Sequence, residues 1–332
     1  GLPKDQYQVM LELQQKIWDG GGICMQKKQT IAEAEVEKEK LNVDMYALND
    51  RVNDLYFGIL LLDEQIKQNT LLQDELERNY RQITAYVENG IANQADLDAV
   101  KVEQLNTKQK RIDLVSSRAA YLKMLSLLVG EALSPETVLE KPVPQSTVSA
   151  VSEIRRPELA LFDAQGAGLQ VQEKALNVRH LPQFGLFVQG AYGNPGLDML
   201  KNEFSPYYMA GVRLSWNFGS LYTLKNDRRV IEKKRQQLDN NRDVFLFNTR
   251  LEMTQQDQAI HSLEKQMRDD DEIIRLRTNI RKAAEAKVAN GTLTVTEMLR
   301  ELTNESLARQ SKAMHEIQRL MGIYQLKYTI ND

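Results

Sequence analysis

The sequence predicts a mainly α fold: two long antiparallel coiled-coil hairpins, repeats of one another, with a few short β-strands leading into them. Three observations carry this. Leu41, Met45, Leu48, Val52, Leu55, Ile59, Leu62 and Ile66 recur at alternating steps of four and three, a heptad seam that no proline interrupts. The run ends at Val87-Glu88-Asn89-Gly90, where Asn and Gly suit a left-handed helix end. The pattern then returns at an offset of 201 residues, where Val288-Ala289-Asn290-Gly291 closes a second run. Leu246, Met253, Ile260, Met267 and Ile274 precede it at seven-residue intervals. At the same offset Leu62 matches Leu263, Ile66 matches Met267, and Asp96-Leu97 matches Glu297-Met298. Internal repetition on this scale decides architecture before local detail does.

The elements follow in order. Residues 6–18 alternate, with Tyr7, Val9, Leu11, Leu13 and Ile17 on one face and Gln6, Gln8, Glu12, Gln14 and Lys16 on the other, which predicts a strand. Trp18-Asp19-Gly20-Gly21-Gly22 breaks it. Ile23 to Gly90 then reads as one helix of roughly 100 Å, longer than a compact domain needs. Ala95 to about Val129 returns as a shorter helix with Leu97, Leu105, Ile112, Leu122, Leu125 and Leu128 on its apolar face, and Gly130 ends it. Glu131 to Ala150 holds Pro135, Pro142 and Pro144 and reads as a linker. Ser152 to about Leu181 is expected to be helical, opened by Arg156-Pro157-Glu158-Leu159 and made small-faced by Ala160, Ala164, Ala167 and Ala175. Two more alternating strands are expected over 183–192 and 207–218, joined by the loop from Gly193 to Pro206. From about Gly219 the second long helix runs to Asn290, and Thr296 to about Ile330 returns. The chain therefore divides into a first repeat at 1–131, a linker at 132–151 and a second repeat at 152–332. The first repeat lacks counterparts of the helix at 152–181 and of one strand, so a helix and a strand are expected ahead of Gly1.

Composition narrows the function classes. The chain has 332 residues, is 27% charged and carries a net charge of −3, which argues against a nucleic-acid-binding surface. Its single cysteine, Cys24, rules out an intrachain disulfide. No apolar run approaches the ~20 residues of a membrane-spanning helix, although a β-barrel would leave only a weak alternating signal. His180, His261 and His315 stand apart without metal-ligand spacing, and Cys24 has no nearby histidine. Gly20-Gly21-Gly22 lacks the Lys-Ser/Thr of a phosphate loop. Asp269-Asp270-Asp271 reads as a solvated helix face, because consecutive helical side chains diverge. No catalytic residue, metal site or cofactor is expected. The strands carry the membrane argument. A strand half-buried in a globular core also alternates, but each strand here leads straight into a coiled-coil helix. About a dozen residues is the length of a tilted bilayer crossing. Tyr208, Val212, Leu214, Trp216 and Phe218 are therefore expected to face lipid, and Arg213 a lumen.

Taken together, the residues resemble the TolC-like outer-membrane efflux proteins. The resemblance rests on Arg156-Pro157-Glu158-Leu159, the Leu181-Pro182 strand entry and the junctions Trp18-Asp19-Gly20-Gly21 and Trp216-Asn217-Phe218-Gly219. The tips at Gly90 and Gly291, each followed six residues later by an acid, complete it. It implies a homotrimer whose protomers share one outer-membrane β-barrel and one periplasmic helical tunnel. Such a duct serves a tripartite efflux pump or type I secretion system. A periplasmic adaptor and an inner-membrane transporter supply coupling and energy, and the duct performs no chemistry. It also implies adaptor docking at Asn89, Gly90, Asn290 and Gly291, and a pore constriction near Glu297, with Asp96 its counterpart in the first repeat. Arg300 stands where a second acid is often found and could neutralise Glu297. A capping acid is the alternative reading of Glu297. Two other classes stay open: a periplasmic coiled-coil adaptor, which needs compact β domains flanking a single hairpin, and a soluble coiled-coil scaffold, which leaves the apolar strand faces unexplained. No residue pattern names the transported substrate.

Overall fold

The computed structural model of the chain describes residues 6–143, 152–198, 200–201 and 203–331. The order is β1 (Tyr7–Trp18), α1 (Gly22–Glu88), α2 (Gln94–Val129), α3 (Pro157–Val178), β2 (Gln183–Asn194), β3 (Ser205–Ser215), α4 (Ser220–Ala289) and α5 (Val295–Ile330). Both long helices are unbroken, at 67 residues for α1 and 70 for α4. Packing divides the chain into two compact units, one of residues 1–43 and 157–245, the other of 44–156 and 246–332.

The first unit holds a three-stranded antiparallel sheet in the order β1-β2-β3. Its register aligns the alternation of all three strands. Leu11 pairs with Gly190, Leu13 with Val188, Leu186 with Val212 and Phe184 with Leu214. Val9, Leu11 and Leu13 thus share one exposed apolar face with Phe184, Leu186, Val188, Tyr208, Val212 and Leu214. Glu12, Gln14 and Lys16 lie on the other face with Gln189 and Arg213, and Arg213 Nη2 is 3.2 Å from Glu12 Oε1. Phe187 lies on this polar face, because Gly211 leaves room for its ring and Arg213 stacks 5.1 Å from the ring centre.

Two strand expectations need correction. The register shifts between Lys16 and Trp18, so Ile17 drops out of the alternation that placed it with Leu13. Such a bulge re-aims the next side chain, and Trp18 meets Phe184 with ring centres 5.6 Å apart. β3 also ends at Ser215, short of the expected Phe218. There the chain turns into α4: Asn217 Oδ1 accepts the Gly219 N–H at 3.0 Å, and the Phe218 carbonyl accepts the Leu221 N–H at 3.1 Å. In the same unit α3 lies beside α4 through Arg235–Glu173 at 3.0 Å, Arg242–Asp163 at 2.6 Å and the rings of Phe162 and Phe245 at 5.9 Å. α3 spans Pro157–Val178, shorter than the 152–181 expected.

In the second unit the helices pack through four apolar clusters. Leu55, Ile59, Leu122 and Leu125 join α1 to α2. Met253, Ile260, Leu326 and Ile330 join α4 to α5. Phe57, Leu60 and Ile317 join α1 to α5. All four helices contribute near the hairpin ends, where Leu76, Ile83, Val100, Ala284, Val288, Val295, Met298, Leu299 and Leu302 form one core. The heptad reading holds from Val52 onward, while Leu41 and Met45 stay 60% and 57% exposed.

α3 starts at Pro157, where its own start signal places the first helical residue. The Arg155 N–H donates to the Ile330 carbonyl at 2.8 Å, and the Arg156 guanidinium lies 5.1 and 5.0 Å from the stacked rings of Tyr46 and Tyr328. These contacts pin the segment before Pro157, which the proline itself keeps out of the helix. The expected linker is likewise strapped down over 131–143, where Leu133 and Leu139 pack on the clusters. Arg118 donates to the carbonyls of Pro135 and Thr137, both at 2.7 Å, while pairing with Asp63. The rest of that linker, with Pro144, lies outside the described residues.

Candidate functional site

The two hairpin tips are built from the same chemistry at the same offset. Gly90 has φ 71° and Gly291 φ 68°, the left-handed region that only glycine enters without strain. At the first tip the Ile91 N–H donates to the Tyr86 carbonyl at 2.8 Å and the Gly90 N–H to Val87 at 3.1 Å. At the second, Thr292 donates to Lys287 at 2.9 Å and Gly291 to Val288 at 2.9 Å. These are paired Schellman closures, and they satisfy carbonyls that would otherwise end the helix without partners. The Asn89 and Asn290 side chains donate to the carbonyls of Ala85 and Ala286 at 2.7 and 2.9 Å. All four predicted tip residues are exposed.

The returning helices start with matched capping boxes. Asn93 Oδ1 accepts the Asp96 N–H at 3.0 Å, and Asp96 Oδ2 accepts the Asn93 N–H at 3.0 Å. Thr294 and Glu297 repeat the exchange at 3.2 and 3.1 Å. Asp96 and Glu297 are thus each the third helical residue of their helix. Hydrogen bonds from the Thr294 hydroxyl and backbone N–H, with a smaller contribution from the charge of Arg300, hold the Glu297 carboxyl below the usual carboxylate range. Arg300 is exposed, and its Nε lies 3.7 Å from Glu301 rather than in a bridge to Glu297.

Behind the tips lies a charged network that sequence reasoning missed. Glu305 is buried on α5 and receives Arg281 Nε from α4, Arg309 Nη2 at 2.6 Å and the Thr278 hydroxyl at 2.8 Å. Arg281 also reaches Glu75 of α1 at 3.3 Å and pairs with Glu285. One guanidinium therefore ties α1, α4 and α5 together. Burial pushes the Glu305 carboxyl up, but hydrogen bonds from Arg309, Thr278 and Arg281 outweigh it and hold the group below its ordinary range. The i,i+4 spacings of Arg281–Glu285 and Glu305–Arg309 were legible in the sequence; the link across helices was not. A second correction concerns Asp269-Asp270-Asp271. Asp270 is buried, 2.9 Å from His315 Nδ1 across the α4–α5 seam, while Asp271 pairs with Lys312 at 2.5 Å.

Of the residues expected to face lipid, Tyr208, Val212 and Leu214 sit on the apolar face of β3, exposed by 85%, 70% and 57%. Trp216 and Phe218 lie past the strand in the turn to α4, where the Trp216 indole N–H donates to the His180 carbonyl at 2.9 Å. Among the described residues, no group of three or more His, Cys, Asp or Glu side chains could hold a metal ion, and no helix is long and apolar enough to cross a membrane.

A three-stranded sheet leading directly into long helices, with a second hairpin repeating the first, is the architecture of outer-membrane channel proteins with helical barrels. The solved structures bear this out at the level of fold. VceC from Vibrio cholerae matches with a TM-score of 0.74 and 11% identity, over 98% of this chain and 86% of its own. CusC matches with a TM-score of 0.75 and 15% identity, over 98% and 77%. CmeC from Campylobacter jejuni matches with a TM-score of 0.71 and 11% identity, over 98% and 71%. Residues 3–131 match the family described as outer membrane efflux protein. No curated protein matches the sequence. The family match covers the first repeat, and over the rest of the chain the likeness to these channels is one of fold.

Proposed function

We propose that the chain is one protomer of the outer-membrane exit duct of a tripartite efflux pump or type I secretion system. Three copies close one barrel, and the helices continue it into the periplasm of a Gram-negative cell. The observation that carries this reading is the sheet. Three strands in one register present a single exposed apolar face and pass without a globular core into long helices. A soluble scaffold would leave that face in water, and an adaptor would carry one hairpin rather than two.

The duct performs no chemistry; a periplasmic adaptor and an inner-membrane transporter couple it to energy. The tips at Asn89, Gly90, Asn290 and Gly291 are the adaptor-docking surface, because they are exposed turns presented by rigid helices. Glu297, flanked by Arg300, and its counterpart Asp96 line the constriction, with three copies of each carboxylate around the axis. The two repeats, 1–131 and 152–332, are the functional modules, joined through 132–151.

Purified protein in a planar bilayer tests the reading. A cross-linkable trimer that gives discrete steps of conductance is the expected result. A chain that stays monomeric and water-soluble without detergent and leaves the bilayer silent would overturn it.

A further inference from the structure

The sheet carries aromatic side chains at both ends of its apolar face. Tyr192 and Tyr208 mark one end, and Trp18, Phe184 and Trp216 mark the other. β-Barrels place such girdles at the two lipid–water boundaries. Beyond the Trp18 end the exposed apolar surface continues for one turn of each helix through Ile23 and Tyr222, the latter 89% exposed.

The next residues are basic. Segments 19–29, 174–181 and 219–231 hold seven bases (Lys27, Lys28, Lys174, Arg179, Lys225, Arg228 and Arg229) and two acids (Asp19 and Asp227), in a chain of net charge −3. Both acids are engaged. Asp19 accepts the N–H groups of Gly21 and Ile23 at 3.0 and 2.5 Å, and Asp227 accepts the Thr223 hydroxyl at 2.9 Å. Lys27, Lys28, Arg179, Lys225 and Arg229 are exposed, and none has an ion-pair partner among the described residues. Further along the same helices Arg235 and Arg242 are paired, with Glu173 and Asp163. The opposite end of the sheet has no such excess, since its loop carries Asp198, Lys201 and Glu203.

We infer that Lys27, Lys28, Arg179, Lys225 and Arg229 form a basic collar that binds the headgroups of anionic phospholipid in the leaflet nearest the helices. The inference rests on the reading of the sheet as a barrel segment. The occupant follows from charge and continuity. The unpaired cations begin where the apolar face and its aromatic rim end, which is where phosphate lies in a leaflet. Long basic side chains can lay their stems along the apolar rim and extend their charge to that phosphate. A protein partner would not require the cations to follow the aromatic rim on α1, on α4 and at the end of α3 alike.

The test uses full-length protein in neutral detergent, with retained lipid read by native mass spectrometry after equal exposure to phosphatidylglycerol and phosphatidylcholine. Wild type should retain phosphatidylglycerol at least threefold over phosphatidylcholine, and the preference should fall toward one in high salt. The variant Lys27→Gln/Lys28→Gln/Lys225→Gln/Arg229→Gln should lose it, while the control Lys108→Gln/Lys110→Gln keeps it. Glycerol phosphate added in excess should not displace the lipid. Equal retention of the two lipids by wild type, a preference indifferent to salt, a preference that survives in the fourfold variant, or displacement by glycerol phosphate would each overturn the collar. Those outcomes leave barrel insertion intact. A protein that retains neither lipid and does not enter bilayers fails the underlying reading instead.

Discussion

Replacing Arg281 by methionine should loosen the hairpin ends. Arg281 is the guanidinium shared by Glu75, Glu285 and Glu305, and the Glu305 side chain is only 7% exposed. Methionine keeps most of the stem volume, so the change isolates the charge. Removing the partner of a buried ion costs about 3–5 kcal/mol when nothing replaces it. Here Arg309 and the Thr278 hydroxyl still hold Glu305, so about 2 kcal/mol is expected for local opening of α4 and α5. At 1.36 kcal/mol per tenfold, that is roughly 30-fold faster amide exchange around Thr278 and Glu305. Replacing both charged residues, Arg281→Met/Glu305→Leu, should recover much of the loss, because no unpaired charge is then buried. Exchange within threefold of wild type in Arg281→Met, or a double variant no better than the single, would refute the argument.

The same site sets a pH dependence. Its hydrogen bonds hold the folded Glu305 carboxyl below its unfolded value despite burial. The stability it contributes is therefore complete above the unfolded carboxylate pKa and is lost as pH falls through the depressed folded value. Protection of α5 should begin to decline as pH falls into the ordinary carboxylate range and go on declining to the depressed folded value, and Glu305→Gln should remove that component.

Other consequences are as direct. A Cβ at Gly90 or Gly291 would meet nothing within 4 Å, so Gly→Ala should cost only backbone strain, about 1–2 kcal/mol per site in exchange of the tip amides, and Gly→Asn less. Asn93→Ala and Thr294→Ala should each cost about 1 kcal/mol by removing a cap, read as fraying of the first turns of α2 and α5. Val212→Arg should cost about 2–4 kcal/mol if the residue lies at the bilayer midplane and should lower trimer yield, while Arg213→Leu leaves yield intact; the reverse pattern would invert the assignment of faces. Glu297→Ala should change single-channel conductance, cation selectivity or divalent block. If it changes none of these, Glu297 is a capping residue and the constriction lies elsewhere.

How much was legible depended on whether a feature is local or pairwise in space. Heptad steps, the Asn-Gly tips and the 201-residue offset are local periodicities, and α1, α2, α4 and α5 appear within a few residues of where they were expected. A capping acid was one of two readings of Glu297; Asn93 and Thr294, three residues ahead of Asp96 and Glu297, were not singled out although their spacing is local. The failures are tertiary overrides. Arg156-Pro157-Glu158 reads as a helix start and α3 does begin at Pro157, but the contacts of Arg155 and Arg156 with the Ile330 carbonyl and the Tyr46–Tyr328 stack lie outside any local pattern. A run of three aspartates reads as solvated, and His315, 45 residues further on, makes the middle one buried.

What the alternation could not convey is how much of the apolar pattern one chain leaves unused. β1 and β3 each pair on one side only, and an unpaired strand edge invites another strand. Leu41 and Met45 continue the same seam that buries Ile59 to 0% exposure, yet they remain open. A heptad seam is a statement about a partner helix, and among the described residues this stretch is left exposed. Open strand edges and the exposed stretch of seam point the same way. Both are satisfied when further strands extend the sheet and further helices cover α1, which is what closure around a threefold axis provides. The proposed trimer offers partners to strand edges and to a stretch of seam that the described residues leave open.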